Sequence, residues 1–124
     1  MPRIGDVMSG NLLTTEATSP LQTAAEQMCD RGIGAILVLN SSGSLAGILT
    51  ERDVLRAVSQ GEVAGTNVAA WMTRDPDTVG VEDTTRTAAE LMVRGGFRHV
   101  PVVEGNRPVG IVSIRDLMRI VVED

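Results

Sequence analysis

Gly47-Ile48-Leu49-Thr50-Glu51-Arg52-Asp53 runs from an apolar stretch into a polar one, and 63 residues later the chain repeats it as Gly110-Ile111-Val112-Ser113-Ile114-Arg115-Asp116. A hydroxyl followed three positions on by a carboxylate suits a helix start, and a short apolar run bounded by glycine suits a strand. The segment therefore predicts a strand running directly into a helix, twice. Sliding the chain against itself by 64 residues extends the match outward. Met8 falls on Met72, Thr14 on Thr78, Ala24-Ala25-Glu26 on Ala88-Ala89-Glu90, Met28 on Met92 and Gly32 on Gly96.

The chain is two copies of one unit, residues 1–61 and 68–124, joined by a linker at 62–67. Two copies at this period point to a duplicated half-domain with pseudo-twofold symmetry rather than a solenoid. Each copy reads as strand, helix, strand, strand, helix. The first strands are expected at Leu12 to Thr15 and around Thr78-Val79. The helices that follow carry apolar residues at helical spacing, Leu21, Ala24, Ala25 and Met28 in the first copy. Ser19-Pro20-Leu21-Gln22 has the form of a capping box, Asp83 can cap the second helix, and Gly32 and Gly95-Gly96 suit the helix ends. Hairpins are expected from Ile36 to Leu49 and from His99 to Val112, final helices from Glu51 to Gln60 and from Ile114 to Val121, and short helical leads at Ile4 to Met8 and Val68 to Met72.

Composition narrows the function. The 124 residues carry 11 basic and 16 acidic side chains, a formal net charge of −5, and 43% hydrophobic residues, enough for a core in one compact domain. No basic block suggests nucleic-acid binding. All the basic residues are arginine, so lysine-based chemistry is excluded, while each cation carries a planar fork suited to carboxylate or phosphate. One cysteine, Cys29, rules out an internal disulfide and a cysteine-rich metal site, and fits a cytoplasmic location. No apolar run reaches the length of a signal peptide or a membrane span. With one histidine, His99, and no tyrosine, an enzyme lacks parts. Cys29 beside Met28 is expected to be a small buried thiol rather than a nucleophile paired with His99. The carboxylates are dispersed, so no metal site is expected. The methionines and Trp71 are expected to serve packing.

The doubled segment allows two compatible readings. In one, Thr50 or Ser113 caps a helix and Asp53 or Asp116 completes the box. In the other, the same helix start receives an anion and the carboxylate holds a ribose diol. Arg52 and Arg115 stand in first turns, where the helix dipole opposes a cation, and each is followed four residues later by another arginine, Arg56 or Arg119. A rule broken identically twice is explained by an anionic ligand, or by Arg52 pairing with Glu51 or Asp53.

The chain resembles a tandem pair of CBS domains, named after cystathionine β-synthase. The likeness lies in the doubled Gly-x-x-[Thr/Ser]-x-x-Asp, the order of elements, the lead Met72-Thr73, and Arg98-His99-Val100-Pro101-Val102-Val103 before the second hairpin. The resemblance implies an α/β (α+β) fold of two pseudo-symmetric β-α-β-β-α motifs packed through their sheets. It implies a stand-alone, non-catalytic regulatory module that binds adenosine-containing ligands in clefts between the motifs and acts as an energy or metabolite sensor. AMP, ADP and ATP come first, S-adenosylmethionine, NAD-type and cyclic dinucleotide ligands are variants, and magnesium arrives only with ATP. It further implies that Asp53 and Asp116 hold ribose, while Thr50, Ser113, Arg52, Arg115 and Arg98 meet ribose hydroxyls or phosphate. Thr14, Thr15, Gly34, Ala35, His99, Val100 and Pro101 surround adenine. Gly34-Ala35 stands in the first copy where the second has Arg98-His99, so the two sites are expected to differ. Apolar positions on the final helices, Val54, Leu55 and Val58, then Leu117, Met118 and Val121, point to a homodimer, with an unidentified regulated protein as partner. The alternative is a ligand-free oligomerisation module.

Overall fold

The computed structural model describes residues 2–123. Its elements in chain order are α1 (Ile4–Val7), β1 (Thr14–Glu16), α2 (Leu21–Arg31), β2 (Ala35–Leu39), β3 (Leu45–Thr50), α3 (Glu51–Ser59), a 3-10 turn (Val68–Ala70), β4 (Thr73–Arg74), α4 (Thr85–Gly95), β5 (His99–Glu104), β6 (Arg107–Ser113) and α5 (Ile114–Glu123). They form two compact units whose boundaries do not coincide with those of the repeats. One is Leu13–Asp75 and the other joins residues 2–12 to 76–123. Each unit is thus built on one copy's hairpin and takes the lead segment of the other copy.

In Leu13–Asp75 the four strands lie in the order β1-β2-β3-β4, with β1 parallel to β2 and the other neighbours antiparallel. Leu21, Ala24 and Met28 of α2 pack with Ile36, Val38 and Leu49 of the hairpin, Ala57 of α3, and Val68, Trp71 and Met72 of the lead. The alternate positions Ala35, Leu37 and Ile48 are buried too, so β2 is an unbroken apolar run rather than an alternating one. Around β5 and β6 the same plan recurs in reduced form. Val79 bridges Val102 in parallel and Ser9 bridges Ile111 antiparallel, where the first unit has β1 and β4. The strand expected around Thr78-Val79 is therefore a single bridge, held by Val79 N–H to the Pro101 carbonyl at 3.1 Å and Val103 N–H to the Val79 carbonyl at 2.9 Å. Both hairpins shift register at equivalent positions, between Val38 and Leu39 and between Val102 and Val103.

The caps correct two expectations. α2 begins after Pro20 with no side-chain cap, and the Thr66 carbonyl, rather than a Ser19 box, accepts Leu21 N–H at 3.0 Å. Asp83 does not cap α4, which begins after Thr84; its carboxylate accepts Gly80 N–H at 2.7 Å and closes the preceding turn. Gly32 and Gly96 end α2 and α4 at φ 63° and 70°, as the left-handed cap requires. Cys29 is exposed, against expectation, because the inward stripe of α2 passes through positions 21, 24 and 28 and the next residue turns away.

The glycine that opens each repeated segment has a steric reason. A Cβ on Gly47 would stand 2.7 Å from the Thr73 carbonyl oxygen and 3.0 Å from Met72 Sδ, and one on Gly110 would meet Met8 Sδ at 2.5 Å and the Ser9 carbonyl oxygen at 3.0 Å. The lead crosses the hairpin there, and only glycine lets it come so close. Gly47→Ala is expected to destabilise the protein by about 1 to 3 kcal/mol, since backbone must move. Gly110→Ala should cost less, because the tightest clash is with a flexible thioether. Urea denaturation of the two variants measures the difference, and equal, negligible losses would refute the crossing constraint.

Candidate functional site

Each repeated segment ends as a corner where a strand turns into a helix without a loop. At the first, Thr50 is the N-cap of α3, and Thr50 and Asp53 form a reciprocal box. Asp53 Oδ2 accepts Thr50 N–H at 2.8 Å and the Thr50 hydroxyl at 3.1 Å. At the second, Asp116 Oδ2 accepts Ser113 N–H at 2.7 Å and the Ser113 hydroxyl at 3.0 Å, while Asp116 N–H donates to Ser113 Oγ at 3.2 Å. A main-chain bond fixes the start of the hairpin to each corner. Glu51 N–H donates to the Gly34 carbonyl at 3.0 Å and Ile114 N–H to the Arg98 carbonyl at 2.9 Å. Strand register then sets Ala35 opposite Thr50 and His99 opposite Ser113.

The structure thus brings Gly34, Ala35, Thr50, Arg52 and Asp53 together in one unit, and Arg98, His99, Ser113, Arg115 and Asp116 together in the other. Thr14 and Thr15 sit on β1, paired with Leu37 and Val38 one strand over. Pro101 is buried, and the Val100 side chain belongs to the core with Ala88 and Met92, leaving His99 as the half-exposed member of that run.

The second carboxylate oxygen separates the copies. Arg56 Nη1 donates to Asp53 Oδ1 at 3.1 Å, whereas Arg119 Nη1 stands 3.6 Å from Asp116 Oδ1, an ion pair without a hydrogen bond. A reason lies in the leads. The Arg56 guanidinium also sits 5.8 Å over the Trp71 ring, whose Nε1 donates to Thr66 Oγ1 at 3.2 Å, and Val7 occupies the position equivalent to Trp71 in the other copy. Asp53 is 4% exposed as a residue, and the side chain of Asp116 is 13% exposed.

These pairs revise the reading of the arginines. Arg56 and Arg119 turn to the aspartates three residues before them, which removes the like-charge conflict with Arg52 and Arg115. The alternative in which Arg52 pairs with Glu51 or Asp53 is not what forms. Arg52, Arg98 and Arg115 are exposed and make no ion pair among the described residues. Sequence reading had missed Arg56 and Arg119 as partners of the motif carboxylates, although the Asp-x-x-Arg spacing in both copies signals them. Among the described residues no group of three or more His, Cys, Asp or Glu side chains is placed to hold a metal, and no helix is long and apolar enough to cross a membrane.

Comparison with known proteins gives this geometry a family. The family model described as CBS domain matches twice, at residues 4–60 and 68–123. The CBS domain-containing protein YhcV of Bacillus subtilis is 33% identical over 118 residues, covering 94% of this chain and 84% of that protein. Other relatives are longer, and the chain spans 43% of one from Methanocaldococcus jannaschii and 19% of one from Arabidopsis thaliana. Among solved structures, the CBS domain pair of protein MJ0100 in complex with 5′-methylthioadenosine and S-adenosyl-L-methionine matches with a TM-score of 0.93 at 25% identity, over 99% of this chain and 98% of that one. CBSX2 in complex with AMP shares the fold with a TM-score of 0.87 at 22% identity, over 99% and 98% of the two chains. Two family matches that between them take in nearly the whole chain, each ending in the same strand-to-helix corner, mean that the protein belongs to the CBS domain family as a tandem pair of CBS domains.

Proposed function

We propose that this CBS pair is a regulatory, non-catalytic module that binds adenosine-containing ligands at its two strand-to-helix corners, AMP, ADP or ATP foremost, and reports energy or metabolite state to a partner protein. The observation that carries the reading is the fold match with a pair that holds two adenosyl ligands. In this reading Asp53 and Asp116 accept the ribose hydroxyls, and Thr50 and Ser113 meet ribose or phosphate. Arg52, Arg115 and Arg98 face phosphate. Thr14, Thr15, Gly34, Ala35, His99 and Pro101 flank adenine, with Val100 behind them. Magnesium enters only as a companion of ATP. The exposed Cys29 thiol is at home in a reducing cytoplasm.

A carboxylate has about four acceptor sites. The box uses two on each Oδ2, so a diol must be received by Oδ1, which Arg56 already engages on Asp53 and Arg119 does not bond on Asp116. The second corner is therefore the stronger ribose acceptor. Asp116→Asn, which keeps size and an acceptor, should leave the melting curve nearly unchanged and weaken AMP binding by about 1.5 to 3 kcal/mol, the range for hydrogen bonds to a charged group. Asp53→Asn should cost less in AMP binding, and more in stability, because it breaks the Arg56 pair. Calorimetric titration of both variants decides: unchanged AMP binding in each would reduce the aspartates to helix caps and leave the ligand-free interaction module as the reading.

Oligomerisation is the second element of the proposal. Leu55 and Val58 on α3 are 67% and 55% exposed, and Met118 and Val121 on α5 are 53% and 69% exposed. Apolar stripes of this kind, on helices that lend Ala57 and, in part, Leu117 to the cores, favour an isologous homodimer. Light scattering at tens of micromolar should return twice the chain mass, and Met118→Glu with Leu55→Glu should return the monomer. A monomer for the unaltered protein, with and without AMP, would refute the dimer.

A further inference from the structure

We infer that the two corners differ in charge selection: the one around Ser113 and Asp116 favours an adenosyl ligand that carries phosphate, and the one around Thr50 and Asp53 makes little distinction between adenosyl ligands with and without it. This rests on the reading that such ligands occupy the corners. The same main-chain bond, from the first helical N–H to the carbonyl before the hairpin, ties four equivalent positions together in each copy. In the first copy they hold Gly34, Ala35, Glu51 and Arg52, and in the second Arg98, His99, Ile114 and Arg115.

The four charged groups among them, Glu51, Arg52, Arg98 and Arg115, are all exposed. The Asp53–Arg56 and Asp116–Arg119 pairs each cancel. What remains, with His99 neutral, is a formal charge of zero at the first corner and +2 at the second. Glu51 also stands at the first position of α3, where its carboxylate offsets the positive end of the helix dipole that a phosphate would use. Ile114 leaves that end of α5 to the incoming ligand.

A phosphate monoester carries close to two negative charges at neutral pH. Against a difference of two charges at near-contact range, partly screened by salt, it should prefer the second corner by about tenfold or more. A nucleoside thioether such as 5′-methylthioadenosine bears no charge and feels no such difference. Its distribution then depends on the ribose and adenine contacts alone.

Amide NMR of the full chain reads the corners separately, through residues 50–53 and 113–116. AMP is expected to shift the second set at about tenfold lower concentration than the first, and 5′-methylthioadenosine to bring the two within about threefold. Ile114→Glu, at an exposed position, should weaken AMP at the second corner about fivefold and leave 5′-methylthioadenosine there unchanged. Glu51→Ile should strengthen AMP at the first corner by a similar factor. The same corner ratio for both ligands in the unaltered protein, or equal effects of Ile114→Glu on both, overturns the charge selection while the ligand reading stands. If neither compound shifts either set, the ligand reading falls, and charge selection with it.

Discussion

Everything distinctive in this fold passes through the reciprocal bond between an N-cap hydroxyl and the carboxylate three residues later. At Thr50 and Asp53, and again at Ser113 and Asp116, the aspartate takes up the N-cap N–H and hydroxyl while its own N–H returns to that hydroxyl. A helix N-terminus leaves backbone N–H groups without partners, and the box satisfies two of them reciprocally, one by the carboxylate and one by the hydroxyl. The consequence is a strand that becomes a helix at a single residue. Because no loop intervenes, the position of the carboxylate follows from the register of the hairpin: Ala35 must face Thr50, and His99 must face Ser113. Structural capping therefore draws on Oδ2 of each aspartate alone and leaves Oδ1 for another partner.

The arginines show how such a corner tolerates what helix electrostatics disfavours. Two cations four residues apart near a helix start would repel one another by a few tenths of a kcal/mol. The second of each pair instead lies over the aspartate one turn below, so its charge is cancelled within the helix and only the first arginine is left without an ion pair among the described residues. Where Trp71 adds its ring beneath Arg56, the guanidinium comes into hydrogen-bond range of Asp53; where Val7 stands in that position, the pair stays longer. A single apolar substitution in a lead segment thus accompanies a change in how open the carboxylate is.

Much of this was legible in the sequence because it is local. The box spacing and the left-handed glycines Gly32 and Gly96 each depend on residues within one turn, and the 64-residue repeat shows each pattern twice, so they read correctly. What was not legible depended on partners distant in sequence. Nothing near Ser19 reveals that the Thr66 carbonyl will receive the first N–H of α2. Val79 has the β-branched side chain of a strand residue, yet it makes only one bridge. Asp83 had two acceptable tasks, capping α4 or closing its turn, and tertiary geometry chose the turn. Cys29 was misread because adjacency to a buried methionine says little on a helix, where neighbouring residues point about 100° apart. Of the candidate site residues, those flanking the box lie together because hairpin register and one main-chain bond put them there, while Val100 goes to the core because strand alternation assigns every second side chain to the helix-packed face.

Duplication sets a further constraint on how the copies can differ. Positions that both units need for folding are repeated with little freedom: the hydroxyl and aspartate of the box, the glycine under the lead crossing, and the glycine that ends the first helix. Each serves a backbone requirement that few other residues can meet, so drift to a residue lacking the needed shape or acceptor costs stability. The copies diverge instead at 34 and 98, 35 and 99, and 51 and 114, where the same main-chain bond is kept and only the side chain is at stake, and at 71 and 7 in the leads. Three of these four pairs flank the box itself, and the fourth lies in the leads, where Trp71 touches the arginine that touches the box. A scaffold that repeats one strand-to-helix corner while varying charge and bulk around it has the means to give the two corners unlike surroundings without changing the hydrogen bonds that build them.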